Sequence, residues 1–303
     1  MGTQLKHQLV PHTNRSVINQ NNKWILIYYI VFVYLGGKKR KREVILLNRV
    51  VGVLCKHGRL YSFFVSFQVA ILEKWHEQFC GGTLIAPQWV LTAAHCIRKR
   101  KRRRKVFVRL GEHDIDSHDK GELKLKVIKD IPHNKYNFDK ITNDIALLKL
   151  ERPVYPTESI DYACLPDKRD KLGESDNKHK NDNTVCYIVG WGKEKNTDAY
   201  GSRELREAQV PLVNRETCQK AFDYVIHNTQ ICAGSRKGGI DSCAGDSGGP
   251  LLCEKKDPGG TPRWIVYGVT SYGEGCGEKK KYGIYTNVRK YLDWIDDVIS
   301  KNS

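Results

Sequence analysis

Short apolar runs rich in β-branched and aromatic residues recur from about Phe67 onward, each cut off by glycine, proline or charged turn residues. They are FQVAIL (67–72), VFVRL (106–110), IALLKL (145–150), CYIVGW (186–191), WIVYGVTSY (264–272) and YGIYTNV (282–288). Runs of this length are strands rather than helices, and their frequency predicts an all-β sandwich or barrel. The end of the chain follows another period. In residues 287–301 the apolar Val288, Tyr291, Leu292, Ile295, Val298 and Ile299 recur at helical spacing, which predicts one C-terminal amphipathic helix. No internal repeat is visible.

Residues 1–49 are of a different kind, and the chain divides into this segment and a domain over 50–303. The first 23 residues are polar, with a sequon at Asn14. Trp24 to Leu35 is then an unbroken apolar run, followed by Gly36-Gly37 and KKRKR. Twelve residues fall short of the roughly 20 that span a bilayer as a helix. The length suits the core of a cleaved signal peptide, although the polar leader is long for one. A signal anchor is the alternative, with basic residues placed on the wrong side of it for an exported domain. A buried strand, or a stretch foreign to the functional protein, is the remaining reading.

Composition narrows the class. With 26 glycines and 10 prolines among 303 residues the chain suits a loop-rich β protein. Its ten cysteines include no CxxC pair, which favours disulfides made in an oxidising compartment over zinc. The net charge of +17 is local: two runs, Lys38–Arg42 with five charges and Arg98–Lys105 with eight, carry all but +4 of it. A general nucleic-acid-binding function is therefore excluded.

Three segments carry chemistry: Leu91-Thr92-Ala93-Ala94-His95-Cys96, Asn143-Asp144-Ile145-Ala146-Leu147-Leu148, and Gly245-Asp246-Ser247-Gly248-Gly249-Pro250. Alone, a histidine beside a cysteine is more often a core residue and a glycine-rich turn is more often only a turn. Together, in the order His, Asp, Ser, they resemble the chymotrypsin/trypsin-like serine peptidases over about residues 67–299. That resemblance implies two six-stranded antiparallel Greek-key β-barrels, the active site between them, and a C-terminal α-helix. A serine hydroxyl is a weak nucleophile that needs an adjacent base, so His95 is expected to activate Ser247 and Asp144 to orient His95. The N–H groups of Gly245 and Ser247 are the expected oxyanion donors.

The resemblance also places Asp241, six residues before Ser247, at the floor of the main specificity pocket, with Ser242 beside it. A carboxylate there calls for a cationic side chain, so cleavage after Arg or Lys is expected. Ser271, Tyr272 and Gly273 resemble the strand that pairs with substrate backbone, Tyr272 standing where Trp is more usual. Gly273 and Gly283 leave the way to Asp241 open. The family pattern pairs Cys80 with Cys96, Cys186 with Cys253, Cys218 with Cys232 and Cys243 with Cys276. Elimination leaves Cys55–Cys164, with two free thiols as the rival.

No cofactor is required. The loop 112–122 resembles a family calcium loop, with Glu112, Asp119 and Glu122 as carboxylate ligands and Asp114 and Ser117 as carbonyl ligands to a structural Ca2+. A solvated acidic turn is the plain alternative. The basic octet 98–105 follows His95 and would bind a polyanion such as heparin, unless it is simply a solvated loop. Expected partners are protein substrates with Arg or Lys at the cleavage site and macromolecular protease inhibitors, but no nucleic acid. The expected protein is a secreted monomer, or a signal-anchored form of it.

Activation is where the pattern breaks. Peptidases of this family are made as zymogens, and the best cleavage site is Arg49 before Val50, whose freed ammonium would reach Asp246. Val53, however, stands where a second glycine is usual, and the stretch to Gln68 is about four residues longer than the family pattern. A catalytically silent, zymogen-like binding protein that uses loop 98–105 is therefore the alternative function. Insertions near 167–183 and 254–263 would shape extended specificity.

Overall fold

A computed structural model describes residues 68–73, 77–98, 105–170, 172, 185–256 and 262–303. The signal-like segment, Arg49, Val50, Cys55, most of the basic octet and most of the insertion near 167–183 lie outside the described residues. The first sheet comprises β1 (Gln68–Glu73), β2 (Glu77–Ala86), β3 (Trp89–Thr92), β4 (Val106–Leu110), β5 (Leu123–Pro132) and β6 (Ala146–Leu150). It closes on itself in the order β1-β2-β3-β6-β5-β4, all pairs antiparallel, because β1 also pairs with β4. Closure leaves no free edge.

The second sheet contains β7 (Cys186–Gly190), β8 (Arg206–Val210), β9 (Leu212–Val213), β10 (Gln230–Ala233), β11 (Pro250–Lys256), β12 (Pro262–Tyr272) and β13 (Gly283–Asn287). Its order is β8-β7-β11-β12-β13-β10-β9. The sequence resemblance implies six strands here, and the sheet has seven. The physical reason is Pro211. The two edge strands β8 and β9 are one stretch of chain, interrupted at a residue with no N–H to give to a ladder. The sheet therefore returns on itself through a covalent corner, and the Pro211 carbonyl is taken instead by the Gly234 N–H at 2.9 Å.

Among the described residues, the apolar runs within 68–288 lie in or beside strands. Short helices α1 (Ala94–Arg98) and α2 (Arg215–Gln219) fill connections, and α3 (Leu292–Lys301) closes the chain after a 3-10 turn at Val288–Tyr291. Leu292, Ile295 and Val298 of α3 are buried at helical spacing. The two sheets share one core: Leu252, Val266 and Val269 of the second join Val69, Leu84 and Leu91 of the first in a single buried cluster. The segment after β6 stitches them further, since the Ala163 N–H donates to Leu84 and the Cys164 N–H to Trp264. No helix among the described residues is long and apolar enough to cross a membrane.

Candidate active site

The turn that carries Ser247 is pressed against the first barrel. Gly245 and Gly248 have φ of +104° and +81°, conformations that favour glycine. A Cβ on Gly248 would fall 2.2 Å from the Thr92 hydroxyl and 2.5 Å from the Gly81 carbonyl, so no larger residue fits. The Gly81 N–H donates to the Ser247 carbonyl at 2.7 Å, and the Thr92 hydroxyl donates to the Gly81 carbonyl at 2.8 Å. Thr92 ends β3, and His95 follows in α1. Cys96, next to His95, is bonded to Cys80, next to Gly81. Ser247 and His95 are thus tied to the same pair of strands. Cys80, His95 and Cys96 lie within metal-ligand distance of one another, but both sulfurs are spent in the disulfide and offer no thiolate.

His95 Nδ1 lies 2.7 Å from Asp144 Oδ2, and the His95 backbone N–H donates to Oδ1 at 2.8 Å. Asp144 is 1% exposed. The Ser271 hydroxyl donates to its Oδ2 at 2.5 Å, and the Thr286 hydroxyl donates to its backbone carbonyl at 2.8 Å. Held by the His95 backbone N–H and the Ser271 hydroxyl, the carboxylate is oriented to accept a hydrogen bond from Nδ1–H of the imidazole. Nε2 is then the free acceptor. Ser271 thus faces the aspartate, whereas Tyr272 turns to an aromatic group, its ring 6.2 Å from that of Tyr224.

Asp241 lies at the base of a slot walled by glycines. Its Oδ1 accepts the Ser242 N–H at 2.8 Å and its Oδ2 the Gly277 N–H at 3.3 Å. A Cβ on Gly283 would come within 2.7 Å of Asp241 Oδ1, and one on Gly273 would reach 4.0 Å from the Gly283 Cα. Both glycines keep the slot open. Burial pushes the Asp241 carboxyl up to about 6, against two N–H groups that pull it down. The Ser242 hydroxyl is 3.1 Å from the hydroxyl of Tyr285, a fully buried ring two residues after Gly283 in β13.

Beside the nucleophile, Asp246 accepts the Gly192 N–H through Oδ1 at 2.8 Å and the Cys243 N–H through Oδ2 at 2.9 Å. A Cβ on Gly190 or Gly192 would collide with this carboxylate. Burial raises its pKa, opposed by those two N–H bonds. Val50, its expected partner, is outside the described residues, as is Arg49.

The described cysteines form the bridges Cys80–Cys96, Cys186–Cys253, Cys218–Cys232 and Cys243–Cys276. Cys164 is disulfide-bonded as well, so it is not a free thiol. In the acidic loop, Glu112 and Glu122 are both buried against Arg109, at 2.6 and 3.4 Å. One cation between two carboxylates leaves a negative surplus. Burial raises the Glu112 pKa to about 7, and the charge of Glu122 adds to the rise. Oε1 of Glu112 is buried without a hydrogen bond, whereas Oε2 of Glu122 lies 2.8 Å from Nδ1 of the exposed His118. Asp119 instead spends Oδ2 on the N–H groups of His113 and Asp114, and the Asp114 carbonyl accepts the Ser117 N–H at 3.0 Å.

Thr286, Tyr285, Gly190 and Gly192 belong to this site but do not stand out in the sequence. For Tyr285 a signal existed: it alternates with Gly283 along a strand and so shares its face. For Thr286 there was none, because its contact with Asp144 spans the two sheets. The family model described as Trypsin matches residues 50–295, which takes in every strand of both sheets and the start of α3. With that match over most of its length, the chain belongs to the trypsin family of serine peptidases.

Proposed function

We propose that this chain is a secreted endopeptidase that hydrolyses peptide bonds after Arg or Lys. Family membership supports the hydrolase and its protein substrates. The single observation that carries the specificity is Asp241, a half-buried carboxylate against Gly283, contacted by two N–H groups and raised to about 6. A substrate guanidinium or ammonium supplies the positive charge that such a group calls for.

In this reading Ser247 Oγ attacks the scissile carbonyl carbon while its proton passes to His95 Nε2. The carbonyl π pair moves to oxygen, and the N–H groups of Gly245 and Ser247 hold the resulting oxyanion. Asp144 stabilises the imidazolium. Collapse of the tetrahedral species breaks the C–N bond, and His95 gives its proton to the leaving amine, leaving an ester on Ser247. Water then attacks the ester, losing a proton to His95, and the second collapse returns that proton to Ser247 as the carboxylic product leaves.

Cleavage after Arg49 would free the Val50 ammonium to pair with Asp246, whose carboxylate is already aimed by Gly192 and Cys243. The disulfides are typical of exported proteins and support secretion. Fluorophosphonate labelling before and after limited trypsin treatment tests the reading. Label on Ser247 only after cleavage at Arg49 is expected. No label in either state would instead favour the silent binding protein.

Glu112 and Glu122 fit a hard cation, since Oε1 of Glu112 is buried with no hydrogen bond and Oε2 of Glu122 is met by the exposed His118 ring, which a cation would displace. Calcium bound there would offset the surplus negative charge around Arg109 and stiffen the loop. Calcium is expected to raise the melting temperature and chelator to lower it, and E112Q to abolish the difference. A melting temperature that ignores both would remove the metal.

A further inference from the structure

We propose that Gln78 is a positioning residue for the oxyanion hole, an inference that rests on the hydrolytic reading above. Gln78 is no part of the catalytic motifs, yet its side-chain amide donates to the carbonyl of Gly245 at 2.8 Å. The contact joins residues 167 positions apart, one in β2 and one in the turn before β11.

A defect in β2 sends the side chain there. Along the β1–β2 ladder Ile71 pairs with Cys80 but Leu72 pairs with Gln78, so Phe79 is an extra residue in a bulge. A bulge breaks the two-residue alternation and re-aims the side chains on either side of it. Cys80 consequently keeps its place toward the disulfide with Cys96, while Gln78 points out of the barrel toward the turn of the nucleophile.

The bond constrains the donor that matters. The carbonyl of Gly245 and the N–H of Asp246 are two ends of one peptide unit. The Asp246 N–H donates to the Cys243 carbonyl at 2.9 Å, and the Gly245 carbonyl accepts from Gln78. That peptide is pinned at both ends, and the preceding one, which carries the Gly245 N–H, is held at its other end by the Lys193 N–H on the Ala244 carbonyl at 2.9 Å. Gly245 is held at φ +104°, and glycine has little intrinsic preference against turning away. Without Gln78 the Gly245 carbonyl loses its side-chain partner, that peptide is held through the Asp246 N–H alone, and the Gly245 donor is aimed less tightly into the cleft. Preorganised donors work because they need no reorganisation when charge develops, so the loss should fall on the transition state and spare ground-state binding.

The test uses the processed full chain and three variants. Q78A removes the donor, and Q78E keeps the shape but turns the donor into an acceptor facing a carbonyl. S202A is the control, since Ser202 lies in the loop beyond Gly192 and outside the machinery described. For an arginyl amide substrate, Q78A should lower kcat about ten-fold with KM nearly unchanged, less than the hundred-fold or greater loss that follows removal of a donor itself. Q78E should lower it further despite its matching volume. Affinity for an arginyl peptide aldehyde, whose adduct carries the oxyanion, should fall in parallel with kcat/KM. The affinity for benzamidine, which reads only the Asp241 slot, should stay level. Wild-type kcat in Q78E would overturn the inference, because packing alone would then suffice. An equal loss of benzamidine affinity would also overturn it, since the role would be general to the fold. A processed wild type without arginyl hydrolysis would instead sink the hydrolytic reading, and this inference with it.

Discussion

In the proposed reading Asp241 sets the substrate through its charge, and its burial makes that charge dependent on pH. Its folded-state pKa, about 6, lies above the ordinary 3.8. Between those values the folded protein binds more protons at this group than the unfolded chain, so the free protein loses stability as pH rises through that window. A bound cation reverses the sign, because it favours the ionised carboxylate. Benzamidine should therefore raise the melting temperature of the processed protein strongly at pH 8, and the increment should shrink as pH falls through about 6. An increment that is flat from pH 8 to pH 5 would contradict this account of the pocket. Gly283 belongs to the same argument. Its Cβ position lies 2.7 Å from the Asp241 carboxylate, so G283A should weaken arginyl substrates at least ten-fold in KM, in line with a steric cost of about 1–3 kcal/mol. Steady-state kinetics on arginyl and lysyl amides would measure it. The residues named here were legible in the sequence because each sits at a fixed offset from Ser247 or in a motif of its own. Gln78 was not, because its role depends on a bulge that no motif announces.

The strands were legible to the extent that they were apolar. β1, β4, β6, β7, β12 and β13 all fall on runs of buried residues, and those runs are what a sheet core demands of a sequence. β5 and β8 were not, because most of their side chains face outward and read as loop. The seventh strand of the second sheet follows from Pro211, which is plain in the sequence, but only the register shows that it splits an edge. Between the sheets the closest constraint is Gly248. Its left-handed conformation and the 2.2 Å from its Cβ position to Thr92 join the nucleophile turn to the end of β3. G248A should destabilise the protein by about 1–3 kcal/mol from the backbone conformation alone. It should also cut kcat, since the displaced turn carries Ser247. Chemical denaturation read alongside kcat would test both. Unchanged activity in G248A would mean that the turn adapts without moving Ser247.

At the scale of the molecule, two sheets with one shared core hold a triad whose members come from different places: His95 from α1, Asp144 from the approach to β6, and Ser247 from the approach to β11. The order His, Asp, Ser in the sequence names these three residues, but the elements that carry them, and the Ser271 and Thr286 hydroxyls that hold Asp144, appear only in the fold. The acidic loop was only half legible. Its carboxylates could be named from spacing, but the burial of Glu112 and Glu122 around Arg109 appears only when the barrel is closed. The central claim, that the Asp241 slot and the Ser247 turn together make an enzyme that cuts after basic residues, has one direct test. The chain is processed between Arg49 and Val50, and kcat/KM is compared for peptides that differ only in Arg, Lys or Phe before the scissile bond. Arg and Lys should exceed Phe by a factor on the order of a thousand, the cost of burying an apolar ring on an unpaired carboxylate being several kcal/mol. Equal or better turnover of the Phe peptide would contradict the account.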